Sequence, residues 1–507
     1  MAVQQLKAAY LQIIRLAAVL GIVASAAAGC RKEKKEVPTQ IECSVEQVWL
    51  GNTAGASASF TITSNKSWEI DLSGTDYDVS PYKGGKGETE VVVTAASDNE
   101  EKGTKLLGTI SLRVANEPAQ ISIDVRQRSA IAPQTVIMYL PWSGNLYSYF
   151  LKNIEDAKTA VARDILHEGR LLVFLQTSTT DGSLRELYYE NGKCREVTLK
   201  VYEGLDVTQK EVITKLFTDF AAEAPAERYG LTIGSHGMAW IPAPGTSSVA
   251  RLRSGALQPA PEKNHWEYVS PDGQFTRWFG DGSSRCTNTT TFAQAIAETG
   301  LHFEYILFDD CFMSSVEAVY DLRDITDRLI ASPCEVMAYG YPYDQILPYL
   351  FTDDGTGYDI EGACRCFYEF YENYEAPNYN CGAIAVTICD QLEALAEVMK
   401  RINEVSEAYV PDPEQPLQQY EYLYNPTRFY DLGDYVHQLC DDDALLAEFD
   451  AQLERTVPER YRLHTEYFYS NGKRLIKSYS GISTSAPSTS PYVTNDIGKT
   501  AWHLATH

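Results

Sequence analysis

Two short apolar runs constrain this chain most, because each ends in a residue with chemistry to offer. Tyr229-Gly230-Leu231-Thr232-Ile233-Gly234 leads into Ser235-His236-Gly237, and Tyr305-Ile306-Leu307-Phe308 leads into Asp309-Asp310-Cys311. An apolar, β-prone run bounded by turn formers suits a strand covered on both faces, as in a parallel sheet. In open α/β sheets ligands bind outside the carboxyl ends of the strands, so a His and a Cys delivered there can face one cleft. A thiol needs a base to become a nucleophilic thiolate near neutral pH, and imidazole is the usual one. A lone Cys after an apolar run is more often a small buried hydrophobe. The pairing with His236, and two acids directly before Cys311, point instead to a Cys-His peptidase, with His236 as base and Cys311 as nucleophile.

The surrounding pattern fits such a sheet. Thr135–Leu140 and Leu171–Gln176 read as strands, with a helix from about Tyr147 to Leu166 between them. Thr208–Ala224 reads as a helix capped by Asp206 or Thr208, with Val212, Leu216 and Phe220 on one face. Strand and helix alternating in this way imply right-handed crossovers. Thr287–Ile296 reads as a helix leading to the Cys strand, and Ser314–Tyr320 as the start of one following it, whose amino end would favour thiolate. Gly382–Ile388 reads as a further strand and Leu392–Tyr409 as a packing helix. His236 and Cys311 lie 75 residues apart, more than one crossover helix needs. The excess, Ile241 to about Ser284, is rich in Pro, Gly and Ser, and loops this long are functional or disordered.

The His-Gly and acid-x-Cys strand ends resemble those of the clostripain-like cysteine peptidases, relatives of caspases, gingipains and legumain, over roughly residues 134–500. The resemblance implies a caspase-like α/β/α peptidase domain, with Asp309 at the floor of a pocket for an Arg or Lys side chain. It also implies activation by self-cleavage after a basic residue between His and Cys, where Arg251 and Arg253 stand; an unprocessed surface loop is the plain alternative. Two positions depart from the family pattern. Asp310 replaces the usual Ala, and Tyr339 stands where a second pocket acid is expected, which leaves Glu335 as the nearby acid that could compensate. In covalent catalysis the backbone N–H groups of Gly237 and Cys311 would form the oxyanion hole. Phe429–Tyr435 and Tyr479–Ser483 resemble stretches of the same domain.

Before this domain the chain reads as three pieces. Residues 1–30 carry Lys7 and Arg15 and then an apolar stretch too short for a stable span, which fits an export signal. Ala27-Ala28-Gly29-Cys30 resembles a lipobox, so Cys30 is the expected site of a lipid anchor to the cell envelope. Residues 31–40 read as a charged tether. Residues 41–128 alternate with period two between Gly-rich turns, which indicates a small all-β, immunoglobulin-like sandwich. It resembles a BACON-type module, a kind associated by name with glycan contact; a spacer with Trp68 in its core is the equal alternative.

A formal charge of −26 argues against nucleic acid as a partner and suits an exported surface that draws cationic peptides. No cofactor is required. Calcium is conceivable at Asp441-Asp442-Asp443 or Asp353-Asp354, but neither has the spacing of a dedicated loop. The eleven Cys show no spacing that dictates pairing or a zinc site. The rival to a peptidase is a surface glycan-binding lipoprotein whose peptidase-like domain is catalytically silent.

Overall fold

The computed structural model describes residues 38–507 except 102, 115–120, 142, 191, 243–285 and 353–356. Cys30, Arg251, Arg253 and Asp353-Asp354 therefore lie outside the described residues, as does the expected export signal. Residues 41–127 form two facing sheets, one of four strands and one of five. Their core is built from alternating inward residues such as Phe60, Ile62, Val91, Val93, Leu112 and Val125. Trp68 belongs to that core at 1% exposure, which answers the question about this residue: its ring cannot stack on a sugar.

From Thr135 onward a nine-stranded sheet organises the chain. Its strands are β1 (Thr135–Leu140), β2 (Arg170–Gln176), β3 (Gly182–Glu190), β4 (Lys193–Tyr202), β5 (Tyr229–Gly234), β6 (Tyr305–Asp309), β7 (Arg328–Ala331), β8 (Ala383–Ile388) and β9 (Leu463–His464). The spatial order is β4-β3-β2-β1-β5-β6-β7-β8-β9. The five central strands are parallel, as expected, while β3, β4, β8 and β9 add antiparallel edges. The β3-β4 hairpin escapes a pattern search because β4 is largely exposed and lacks a continuous apolar run. In the central strands every second side chain enters one of two cores. Ile137, Ile233, Ile306 and Phe308 face one side, and Met138, Tyr305 and Leu307 the other.

Helices cover both faces. On the second face lie α1 (Tyr147–Val161), α5 (Tyr343–Leu350) and α6 (Ile360–Glu372); on the first lie α2 (Lys210–Glu223), α3 (Thr289–Thr299) and α4 (Val316–Leu322). In α2 the buried stripe is Ile213, Leu216, Phe217 and Phe220, with Val212 only at its margin. Its expected cap is corrected as well: Gln209 occupies the N-cap and makes no side-chain bond to the helix, while Asp206 accepts from the hydroxyl and amide of Thr208. Phe429–Tyr435 and Tyr479–Ser483 meet directly, Tyr430-Asp431 pairing antiparallel with Ser483-Thr484. No disulfide joins any two of the ten described cysteines, and among the described residues no helix is long and apolar enough to cross a membrane.

Candidate active site

Chain order reverses at β1, which has β2 on one side and β5 on the other, so a crevice opens at the carboxyl ends of β1, β5 and β6. Three polar side chains follow those three ends: Asn145 after β1, His236 after β5 and Cys311 after β6. The parallel register pairs Gly234 with Asp309, so His236 and Cys311, each two residues further on, stand across from one another. Contact between the two turns is tight. A Cβ placed on Gly237 would lie 2.2 Å from Cys311 O and 3.0 Å from Cys311 N, so only glycine permits this approach.

Each turn also contains a non-glycine residue in the left-handed region, Ala239 at φ 50° and Phe312 at φ 61°. Such residues are uncommon and persist where the surroundings hold them. Phe312 is held by stacking on Phe429 at 4.8 Å and by its N–H to Cys334 O at 3.0 Å. Ser314 N–H adds a bond to Ser332 O, which lines the nucleophile turn along residues 332–336. That ladder brings Val336 N–H to 3.2 Å from Cys311 Sγ. The thiol in turn lies 3.7 Å from Val336 O, so the Val336 main chain both gives to and takes from the sulfur, and its N–H remains as a donor once the proton is lost. Helix α4 begins after Cys311 as expected, yet Val336 on another segment supplies the donor that reaches the sulfur.

His236 Nε2 lies 2.9 Å from Asn145 Oδ1. With that oxygen as acceptor, Nε2 carries the hydrogen and Nδ1 keeps the lone pair a base requires. His236 and Cys311 are both completely buried. Met238, Ala239, Trp240, Ile241 and Cys286 share a core with Cys311, so the two chain ends that bracket residues 243–285 pack around the thiol. Trp240 Nε1 donates to Ser485 Oγ at 2.9 Å. Glu317 in turn accepts from Ser485 N–H, Thr484 Oγ1 and Ser315 Oγ, and burial raises its pKa.

The two acids before Cys311 part company. Asp310 accepts from Ser235 N–H and so ties the Cys turn to the His turn. Asp309 alternates onto the face of α1, α5 and α6, where its Oδ2 accepts from Tyr343 OH at 3.2 Å and from Tyr341 N–H at 3.4 Å. Burial, then the Asp309 charge, pushes the Tyr341 phenol well above its ordinary pKa. Glu335 is buried, and its charge is felt by Cys334 and Tyr424. Tyr339 donates its hydroxyl to Asp156 Oδ2 at 3.1 Å and stacks on Phe370 with centroids 5.2 Å apart. Asp442 caps a helix by accepting from Ala444 and Leu445 N–H, and among the described residues no group of three His, Cys, Asp or Glu side chains is placed to hold a metal.

Sequence reasoning missed Asn145 and Val336. Asn145 had a signal in its place directly after β1, beside the strand that carries His236. Val336 acts through its main chain and had none.

Among known proteins, the clostripain family model matches residues 264–456. A secreted C11 cysteine protease from Bacteroides thetaiotaomicron, iotapain, is 43% identical over 75% of this chain and 100% of its own, with TM-score 0.64. An inactive zymogen C11 protease from Parabacteroides distasonis is 26% identical over 75% of this chain and 99% of its own, with TM-score 0.59. A second secreted C11 protease from B. thetaiotaomicron, solved with an irreversible peptide inhibitor, shares the fold at 19% identity and TM-score 0.60. Among curated protein sequences none matches the chain.

Proposed function

The chain belongs to the clostripain family of C11 cysteine proteases, and from that premise we propose that it is an exported endopeptidase working through Cys311 and His236. The observation that carries this reading is the β5-β6 register, which sets His236 opposite Cys311 with Gly237 packed on the Cys311 main chain. His236 Nδ1 takes the thiol proton, and the Cys311 thiolate attacks the scissile carbonyl. Val336 N–H steadies the thiolate before attack. The N–H groups of Gly237 and Cys311 receive the oxyanion, each worth on the order of a hundredfold in rate. His236 then protonates the leaving amine, and water releases the acyl-enzyme. Asn145 holds the imidazole in the tautomer these steps need.

Asp309 is the group that would pair with an Arg or Lys at P1. Its carboxylate is anchored by Tyr341 and Tyr343, so it is set in place before substrate arrives. The dyad is fully buried, and residues 238–241 and 286 share the core that contains Cys311; we read this as a closed site, in keeping with the zymogen relative. Cleavage at Arg251 or Arg253 is the proposed opening step. Export through residues 1–30 accords with a relative described as secreted, and lipidation of Cys30 would tether the enzyme to the envelope. If the sandwich touches glycan, it does so with residues other than Trp68.

The test is hydrolysis of P1-Arg, P1-Lys and neutral-P1 fluorogenic peptides by the chain lacking residues 1–30, before and after tryptic nicking, with Cys311→Ala alongside. Cleavage after Arg or Lys that vanishes in the variant is expected. Activity confined to neutral P1 removes Asp309 from the pocket, and no activity in the nicked enzyme removes the peptidase.

A further inference from the structure

We propose that a cleft of about 800 Å³ between the Tyr339 loop, α5 and α6 is a second subsite, receiving a cationic side chain of the peptide substrate away from the scissile bond. The inference rests on the peptidase reading and extends it to a part of the surface that neither the dyad nor Asp309 lines. Aromatic walls come from Tyr339, Tyr349, Phe370 and Tyr374, with Tyr339 stacked on Phe370 and Tyr374 inclined to it at 5.4 Å. Glu369 and Glu375 stand at the rim, both exposed and neither ion-paired among the described residues. The lining contains no Lys or Arg. Aromatic faces beside uncompensated carboxylates suit an ammonium or guanidinium, through the ring quadrupole and the charge together.

Two further observations bear on the occupant. The Tyr339 ring already has a cation near it, Lys152 Nζ at 5.7 Å from the centroid, but Lys152 is engaged by Asp156 and does not line the cleft. The wall is also tied to α1, Asn153 Nδ2 donating to Tyr339 O at 3.0 Å, while Tyr341, two residues on, donates its N–H to Asp309. A peptide anchored at Asp309 would therefore run within reach of this loop, and a second basic residue in it would find the cleft.

The experiment compares peptides whose P1 is set by the panel above and which carry either Lys or norleucine at one position from P4 to P2 or from P1′ to P3′. At one position kcat/KM for Lys should exceed that for norleucine by about fivefold. The ratio should fall to about one in Glu369→Gln/Glu375→Gln and persist in Glu404→Gln/Glu407→Gln, which removes two exposed acids elsewhere. A ratio that survives the first pair, or falls equally with the second, overturns the proposal, as does equal preference for Lys and norleucine, which would leave an apolar pocket only. If the nicked enzyme hydrolyses nothing, the peptidase reading fails by itself. The cleft is then judged by fluorescence anisotropy of the same labelled peptides on Cys311→Ala, with the Lys to norleucine ratio of Kd values read in the same two double variants.

Discussion

Asn145 reaches His236 across 91 residues of chain, and its amide has a task distinct from proton transfer itself. Because it fixes which ring nitrogen is free, its loss should slow chemistry without weakening ground-state binding. Asn145→Ala is expected to lower kcat by about 10- to 100-fold, part of what general base catalysis supplies, with KM changed less than about twofold. A raised KM with kcat unchanged would assign Asn145 to substrate binding instead. A second residue-scale prediction concerns Asp321 on α4, whose pKa is pushed up to about 6 by burial, against a bond from Thr289 Oγ1. The folded chain then holds a proton on Asp321 that the unfolded chain has released between about pH 4 and pH 6. Its contribution to stability is intact below the unfolded value and is lost as pH rises through about 6. Asp321→Asn can still accept from Thr289, so it should stabilise the chain by about 1–2 kcal/mol at pH 8 and hardly at pH 4, after allowance for partial exposure. Urea unfolding at both pH values decides it.

At the scale of elements, the proposed closed site depends on what the two flanks of residues 243–285 rest on. Trp240 ties one flank to Ser485, and through the buried Glu317 to the start of α4. Trp240→Ala removes both the indole wall and this tie, so alkylation of Cys311 by iodoacetamide, read by peptide mass spectrometry, should speed up by at least about tenfold in the uncut chain. The same order of increase is expected on nicking the native chain. An unchanged rate in both would mean that other elements cover the thiol. How much of this was legible follows from the elements themselves. β1, β2, β5 and β6 are mostly apolar and almost wholly buried, and announce themselves; the β3-β4 hairpin is half exposed and does not. His236, Cys311 and Asp309 could be located because they end apolar runs. The tie from Trp240 through Ser485 to Glu317 spans 245 residues in one step, and no local pattern records a contact of that kind.

The whole molecule carries 69 acidic side chains against 43 Lys and Arg, and both proposed substrate contacts, Asp309 and the Glu369/Glu375 cleft, have the same sign as that surplus. A field of this sign raises the encounter rate of cationic peptides before any specific contact forms. Such steering and the local pairing at Asp309 respond differently to salt. The Debye length falls from about 10 Å at 0.1 M to about 3 Å at 1 M, so long-range attraction is lost while a buried pair is screened much less. For the activated enzyme, kcat/KM on a peptide with Lys at P1 and a second Lys in the cleft should drop several-fold between about 0.05 and 0.5 M NaCl. The loss should lie in kcat/KM at low substrate, with kcat nearly constant, because saturating substrate no longer depends on encounter. A peptide with Lys at P1 only should lose less, and a neutral peptide almost nothing. If kcat falls in step with kcat/KM for all three, salt is acting on the fold or the dyad, and the surplus of acids has no part in choosing substrate.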